Sequence, residues 1–140
     1  MTDKLSDLLK EKELIRMYLV VNETLNMSQG KLAAQCAHGA QLLTMKYFDM
    51  KKEYADYWLP PTYLEYFEDW VNADYGKIVL KADLKEWSKL KELDKENYDH
   101  IVVVDNGLTE IAAGSETCIA FWPMYKSNVP KVIKRLQVLK

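Results

Sequence analysis

The sequence lacks the common signatures of nucleotide-binding and metal-dependent enzymes. It contains no GxGxxG dinucleotide-binding turn, no Walker phosphate-binding loop, no HExxH zinc motif and no GxSxG nucleophile turn. Histidine occurs at His38 and His100 alone, and the two cysteines, Cys36 and Cys118, lie in apolar segments without CxxC spacing. We therefore expect no metal site, no cofactor and no disulfide framework.

Long apolar runs and a strong excess of one charge are also missing. No stretch has the length and apolarity of a signal peptide or membrane span, so we expect a cytoplasmic protein without a membrane partner. The 19 basic and 21 acidic side chains give a net charge of −2, which is not the global footprint of a nucleic-acid-binding protein. A local basic patch can still bind phosphate, because charges act over about one Debye length, ~10 Å.

The composition that is present suits one globular domain. Hydrophobic residues make up 49% and charged residues 29% of a chain of 140 residues, which is long enough to bury a core. We find no internal repeat, linker or low-complexity tract. We therefore predict a single domain that spans residues 1–140.

Four short apolar segments alternate with helical patterns along the chain. We predict strands at residues 17–22, 77–81, 100–105 and 117–122. We predict helices from about residue 30 to the mid-forties, with Ser28 as the cap, and over residues 62–71, 84–98 and 128–139. This alternation indicates an α/β fold with a mostly parallel sheet covered on both faces. The third and fourth strands are joined by too little chain for a helical crossover, so we expect them to be antiparallel and the sheet to be mixed.

Residues 46–75 form a segment that is crowded with aromatic side chains and interrupted by Pro60 and Pro61. Because proline stops or restarts a helix, we interpret this segment as a helical insertion with a break at the two prolines. Aromatic side chains at helical spacing usually build a core or a dimer contact, although they can also stack on bases or a peptide.

The first predicted helix carries a polar face. A projection at 100° per residue places Lys31, Gln35 and His38 close together on it. Lys31 lies in the first turn, where the helix macrodipole disfavours a cation by up to ~1 kcal/mol. An anion bound by this ammonium and the backbone N–H groups of the first turn would offset that cost. In the simpler alternative, Lys31 is a solvated surface lysine and the other two residues continue an exposed face.

Asp105 marks the carboxyl end of the third predicted strand, where open α/β sheets bind their ligands. Gly107 in the following turn permits close approach of the backbone. If the first strand is central and parallel to the third, Lys31 and Asp105 lie on the same edge of the sheet. In the alternative, Asp105 caps local N–H groups of an ordinary Asp-Asn-Gly turn. Hydroxyl groups follow in the next loop, at Thr109, Ser115 and Thr117.

Two segments resemble the signatures of type II peptidyl-tRNA hydrolases. The run Met27-Ser-Gln-Gly-Lys-Leu-Ala-Ala-Gln-Cys-Ala-His38 resembles MGxGKxAAQCxH, and Asp105-Asn-Gly-Leu-Thr-Glu-Ile-Ala-Ala-Gly-Ser-Glu-Thr117 resembles DAGxTQIxPGSxT. Two separated signatures in the right order are specific, whereas either alone would be weak. The resemblance implies a three-layer α/β/α sandwich around a four-stranded, mixed sheet, often dimeric. It also implies hydrolysis of the ester that joins a peptide to tRNA, without a metal.

The resemblance also implies which residues form the site. Lys31, Asp105 and Thr109 would form the catalytic centre. Asp105 would orient or deprotonate water, Lys31 would stabilise the oxyanion or bind phosphate, and Thr109 would position the ester carbonyl. The residues expected to bind substrate around this centre are Gly30, Gln35, His38, Gly107, Ser115 and Thr117.

The sequence departs from the family pattern at several positions. Ser28 and Gln29 replace a small and often basic pair, Asn106 replaces Ala, Glu110 replaces Gln and Ala113 replaces Pro. Glu110 places a negative charge beside the expected RNA site, where it would oppose phosphate. Two alternatives therefore stand beside tRNA hydrolysis. One is a divergent paralogue that binds a protein or nucleotide partner through the aromatic segment, and the other is a hydrolase of a different small ester or amide.

Overall fold

The computed structural model describes residues 13–107 and 110–140. Within these ranges the chain forms a mixed sheet of six strands and four α-helices. The strands are β1 (Ile15–Asn22), β2 (Lys77–Ala82), β3 (His100–Val104), β4 (Glu116–Phe121), β5 (Met124–Tyr125) and β6 (Gln137–Val138). The helices are α1 (Gln29–Glu53), α2 (Thr62–Asn72), α3 (Leu84–Lys91) and α4 (Lys131–Lys134). None of the helices in this described part is long and apolar enough to cross a membrane.

The sheet has β1 at its centre, in the order β3-β4-β1-β2-β6, while β5 pairs with the start of β1. β1 is parallel to β2 and antiparallel to β4, and β4 is antiparallel to β3. β1 and β3 therefore run in the same direction and β1 is central, which is the condition under which Lys31 and Asp105 are expected at the same edge. Their carboxyl ends reach the same edge of the sheet, so the start of α1 and the residues after β3 lie near each other.

Two predictions for the sheet are wrong. All four predicted strands are present, and their ends differ from the predicted ends by at most two residues. The sheet nevertheless has six strands, because β5 and β6, each two residues long, also pair into it. Strands this short show no periodicity in a sequence. The sheet is also not mostly parallel, since one parallel pair stands against four antiparallel pairs. Among paired strands that follow each other in the chain, β1 and β2 are parallel and joined by a long connection with two helices, whereas β3 and β4 are joined by a short loop and are antiparallel.

Two predicted helices are shorter in the structure. α3 ends at Lys91, not near residue 98, because the chain then turns, with the Asp94 carboxylate accepting a hydrogen bond of 2.8 Å from the Asn97 N–H. The last helix covers only Lys131–Lys134, since Pro130 precedes its first turn and the following residues pair with β2 as β6. The first predicted helix and the start of the aromatic helical segment form one continuous helix, α1, which runs to Glu53, and the predicted break falls before α2 begins at Thr62.

Alternate residues of β1 enter two separate hydrophobic clusters. Met17 and Leu19 pack with side chains from α1 and α2, whereas Tyr18 and Val20 pack with side chains from α3 and α4. Successive side chains of a strand point to opposite faces of the sheet, so both faces of β1 are covered by apolar side chains. This double burial explains why the first predicted strand is a continuous apolar run.

The aromatic segment divides into a buried part and an exposed part. Phe67 and Trp70 of α2 are buried, and Tyr47 of α1 stacks on Phe67 at 4.4 Å between ring centroids. The prediction that this segment builds a core is therefore confirmed for these side chains. Tyr57 and Trp58, in the turn between α1 and α2, are exposed, with Trp58 at 94%.

Candidate active site

A buried ion pair stands at the edge of the sheet where β1 and β3 end. The Lys31 ammonium donates a hydrogen bond of 2.5 Å to Asp105 Oδ1, and the two side chains are 9% and 8% exposed. Lys31 comes from the first turn of α1, and Asp105 directly follows β3. The structure thus brings together two residues that are 74 positions apart in the sequence, as the sequence predicts.

The loop after β3 folds back on itself and holds Asp105 in place. The Asp105 backbone N–H donates to the Ser115 carbonyl at 2.9 Å, and the Gly114 N–H donates to the Asp105 carbonyl at 2.9 Å. Gly107 has a φ of +75°, and an added Cβ would lie 2.6 Å from the backbone of Ala113. This position therefore requires glycine, both for its left-handed backbone and for the close approach.

The two carboxylate oxygens of Asp105 have different partners. Oδ1 accepts from Lys31, while Oδ2 accepts a hydrogen bond of 2.7 Å from the Gly107 N–H. Turn capping and ion pairing, which the sequence left as alternatives, occur together in this side chain. The hydrogen bond from Lys31 lowers the pKa of Asp105, and the Gly107 N–H and the charges of Lys31 and His38 lower it further, against the effect of burial. Asp105 is consequently a carboxylate at neutral pH, and its charge offsets the cost of a cation in the first turn of α1.

A cleft of about 480 Å³ opens beside the ion pair. Its walls are formed by Gly30, Lys31, Ala34, Gln35, His38, Val104, Asp105, Asn106 and Glu110. Three of the residues predicted to bind substrate, Gly30, Gln35 and His38, thus lie in the same cleft as Lys31 and Asp105. A larger cleft of about 850 Å³ lies near Asp99 at the opposite end of β3, and it contains none of the predicted site residues.

Gln35 and Thr117 form a buried pair behind the cleft. The Thr117 hydroxyl lies 2.7 Å from Gln35 Oε1, to which it donates, and 3.2 Å from the Val103 carbonyl. Thr117 is fully buried, so it contacts the cleft through Gln35. Ser115 is only half-buried, and its hydroxyl donates to the Ala112 carbonyl at 2.7 Å within the same loop. Neither hydroxyl lines the cleft.

Thr109, the third predicted catalytic residue, lies outside the residues that the structure describes, as does Leu108. Among the described residues, no group of three or more His, Cys, Asp and Glu side chains is placed to hold a metal ion. His100 is buried at the start of β3, where its Nδ1 lies 2.8 Å from the Tyr98 carbonyl, and it does not line the cleft of the ion pair. Cys36 and Cys118 are free thiols.

Glu110 makes a structural contact that the sequence alone does not reveal. Ser28 caps α1 as predicted, with its hydroxyl accepting from the Lys31 N–H at 3.3 Å. The Glu110 carboxylate accepts hydrogen bonds from the Ser28 hydroxyl at 2.6 Å and from the Ser28 N–H at 2.9 Å. These two bonds lower the pKa of Glu110. A carboxylate at the start of a helix is a favourable pattern, but a pairing across 82 residues has no signal in one sequence.

Comparison with known proteins gives one consistent family. Residues 15–139 match the family described as peptidyl-tRNA hydrolase PTH2. Over 126 residues the chain is 32% identical to a peptidyl-tRNA hydrolase of Thermococcus sibiricus, a match that covers 89% of this chain and 97% of the relative. It is 34% identical over 131 residues to a probable peptidyl-tRNA hydrolase 2 of Dictyostelium discoideum, covering 88% of this chain and 54% of the relative. A peptidyl-tRNA hydrolase of Saccharolobus solfataricus is 26% identical over 128 residues, which cover 90% of this chain and all of the relative. The chain therefore belongs to the peptidyl-tRNA hydrolase PTH2 family.

Proposed function

We propose that this protein is a peptidyl-tRNA hydrolase that cleaves the ester between peptide and tRNA without a metal and so returns tRNA to translation. The observation that carries the proposal is the buried ion pair of Lys31 and Asp105 at the cleft, 2.5 Å apart. Each member of the pair comes from one of the two segments that resemble the family signatures. The family match over residues 15–139 includes both segments.

Ester hydrolysis needs a water molecule directed at the carbonyl carbon and a positive group near the developing oxyanion. Asp105 orients the water and Lys31 stabilises the oxyanion of the tetrahedral intermediate. The water oxygen bonds to the carbonyl carbon, the ester C–O bond breaks, and the ribose oxygen leaves with a proton. A carboxylate with a lowered pKa is a weak base, so the contacts of Asp105 favour orientation of water over complete proton abstraction. Thr109 is assigned the role of positioning the ester carbonyl.

The substrate-binding roles divide according to accessibility. Gly30 and His38 are exposed in the cleft and are assigned to contact with the substrate, where Gly30 leaves room because no atom lies within 4 Å of an added Cβ. Gly107 allows the loop to approach closely. Gln35 links the cleft to Thr117, so we assign Gln35 to contact and Thr117 to support, together with Ser115.

We also infer the setting in which the protein works. The two hydrophobic clusters on opposite faces of β1 support a three-layer α/β/α sandwich that forms one domain. A cytoplasmic location follows from the substrate, because translation supplies peptidyl-tRNA there. A homodimer is supported by exposed apolar side chains along α1, at Leu42, Met45 and Phe48.

The decisive experiment measures the release of N-blocked aminoacyl groups from charged tRNA in the presence of a metal chelator. We expect turnover by the parent protein and a loss of about 10²-fold or more in Lys31→Ala and in Asp105→Ala, because each removes a charge from the reacting centre. Lys91→Ala is the matched control. Lys91 also pairs with a carboxylate, Glu116 at 2.7 Å, but this pair is exposed and does not line the cleft.

Lys91→Ala removes an ion pair but leaves the cleft intact, so it should keep a rate within about twofold of the parent. A larger loss in Lys31→Ala or Asp105→Ala would then come from the site itself. Circular dichroism and thermal unfolding of each variant establish that it is folded. A folded parent without turnover would contradict the proposed function. Full activity in Asp105→Ala would remove Asp105 from the mechanism.

A further inference from the structure

Glu110 joins the two segments that form the cleft. It belongs to the loop that follows Asp105, and its carboxylate accepts two hydrogen bonds from Ser28, at 2.6 Å from the hydroxyl and 2.9 Å from the N–H. The same Ser28 hydroxyl accepts from the Lys31 N–H at 3.3 Å. The loop and the first turn of α1 are therefore connected twice, once by Ser28 and Glu110 and once by Lys31 and Asp105.

The position of the exposed Glu110 carboxylate favours this connection. It lies at the amino end of α1, where the helix macrodipole and the backbone N–H groups favour an anion. Hydrogen bonds to an ionised group are roughly twice as strong as neutral ones. Around the carboxylate, Ser28 and Lys31 face it from α1, and the charge of Lys31 helps to keep it ionised. Asp105 and His38 are the other titratable groups that line this cleft.

We propose that Glu110 is a positioning residue of the hydrolase, which holds the Asp105 loop against the first turn of α1 so that Asp105 stays opposite Lys31. This inference rests on the proposed function and deepens it. Glu110 acts through Ser28 and touches none of the reacting atoms. Its negative charge, which the sequence alone interprets as an obstacle to phosphate, is directed at the helix.

The kinetic test compares Glu110→Ala with Glu110→Gln. Alanine removes both bonds, and we expect kcat to fall about tenfold, because Asp105 is then held less firmly in its reacting position. Glutamine keeps one oxygen that accepts a hydrogen bond from Ser28, so it should recover part of the lost kcat. Glu65→Ala is the matched control, since Glu65 is also a carboxylate near the start of a helix, in the first turn of α2, but lies outside the cleft.

A double variant tests whether Glu110 acts through Ser28. Ser28→Ala removes the hydroxyl that links Glu110 to the Lys31 N–H, so its effect should overlap with that of Glu110→Ala. The Ser28 hydroxyl still caps α1 in Glu110→Ala, so the double variant is expected to lose less than the product of the two single losses. If the two losses multiply, Glu110 acts independently of Ser28 and the inference is overturned.

A measurement without substrate separates this inference from the proposed function. NMR titration of the Asp105 carboxyl group reports whether Lys31 still holds it. In Glu110→Ala we expect the Asp105 pKa to rise toward its ordinary value, with partial return in Glu110→Gln and no change in Glu65→Ala. If the parent protein shows no hydrolase activity, the proposed function is wrong, but the titration of Asp105 still tests whether Glu110 holds the Asp105 loop. An unchanged Asp105 titration in Glu110→Ala, or a parent-like kcat in that variant, overturns the role of Glu110.

Discussion

At the scale of single residues, Asp105 links the chemistry of the site to the stability of the fold. Its pKa in the folded protein is below the ordinary value of 3.8, so the unfolded chain binds more protons at acid pH. The ion pair therefore stabilises the fold above about the ordinary pKa, and this contribution is lost as the pH falls through the lower folded pKa. Asp105→Asn removes the titration and keeps the size of the side chain.

We expect the free energy of unfolding to fall more steeply between neutral and strongly acid pH in the parent than in Asp105→Asn. Urea unfolding at a series of pH values measures both curves. The other carboxylates with lowered pKa values, Glu68, Glu110 and Glu116, are present in both proteins, so the difference between the curves isolates Asp105. Parallel curves would show that the ion pair does not contribute to stability.

The residues of the site also show which contacts one sequence can reveal. Helical periodicity predicts that Lys31 and His38 share a face, and the strand end predicts Asp105, because both signals are local. The bonds from Thr117 to Gln35 and from Ser28 to Glu110 each span 82 residues. Contacts of that separation are set by the packing of α1 on the sheet, which has no local signature.

At the scale of elements, α1 depends on a close approach to β4. A Cβ at Gly39 would lie 2.9 Å from the Ala120 Cβ, and neither atom can rotate away. We expect Gly39→Ala to destabilise the protein by up to about 2 kcal/mol, since overpacking costs about 1–3 kcal/mol and alanine in a helix returns only ~1 kcal/mol. Chemical denaturation measures the difference.

Gly30→Ala is the control for this substitution, because Gly30 is also in α1 and its added Cβ would have no neighbour within 4 Å. There the higher helix propensity of alanine acts alone, and stability should stay equal or rise by up to ~1 kcal/mol. Equal effects of the two substitutions would show that α1 can move away from β4 at little cost.

The elements also differ in how well they could be predicted. The central strands β1 and β4 are apolar on both faces and flanked by polar residues, so their pattern is clear. β6 and α4 are not distinguishable in the sequence, where residues 128–139 fit an amphipathic helix. Residues 137 and 138 form a strand and not the end of a helix, because Val138 pairs with Leu80 at the open edge of β2.

At the scale of the whole molecule, the face of α1 that lines the cleft changes character along the helix. Its first turns contribute Lys31, Gln35 and His38 to the cleft, while another face packs Leu43 and Met50 into the core. Beyond His38 this surface becomes apolar, with Leu42, Met45 and Phe48 exposed by 44%, 54% and 55%. Their spacing of three residues aligns them as a stripe along the helix. Contiguous apolar surface of this kind marks a site of protein association.

We therefore predict that the chain of 16.3 kDa sediments at twice its mass and that Met45→Glu together with Phe48→Glu returns it to the monomer. Two carboxylates in the stripe would face their symmetry mates across a two-fold interface, where like charges and lost apolar burial both oppose association. Analytical ultracentrifugation measures the mass.

Leu84→Glu is the matched control, since Leu84 is 69% exposed on α3 and lies outside the stripe, so this variant should remain dimeric. A parent of single mass would contradict the dimer. Dissociation by Leu84→Glu as well would place the interface elsewhere than on α1.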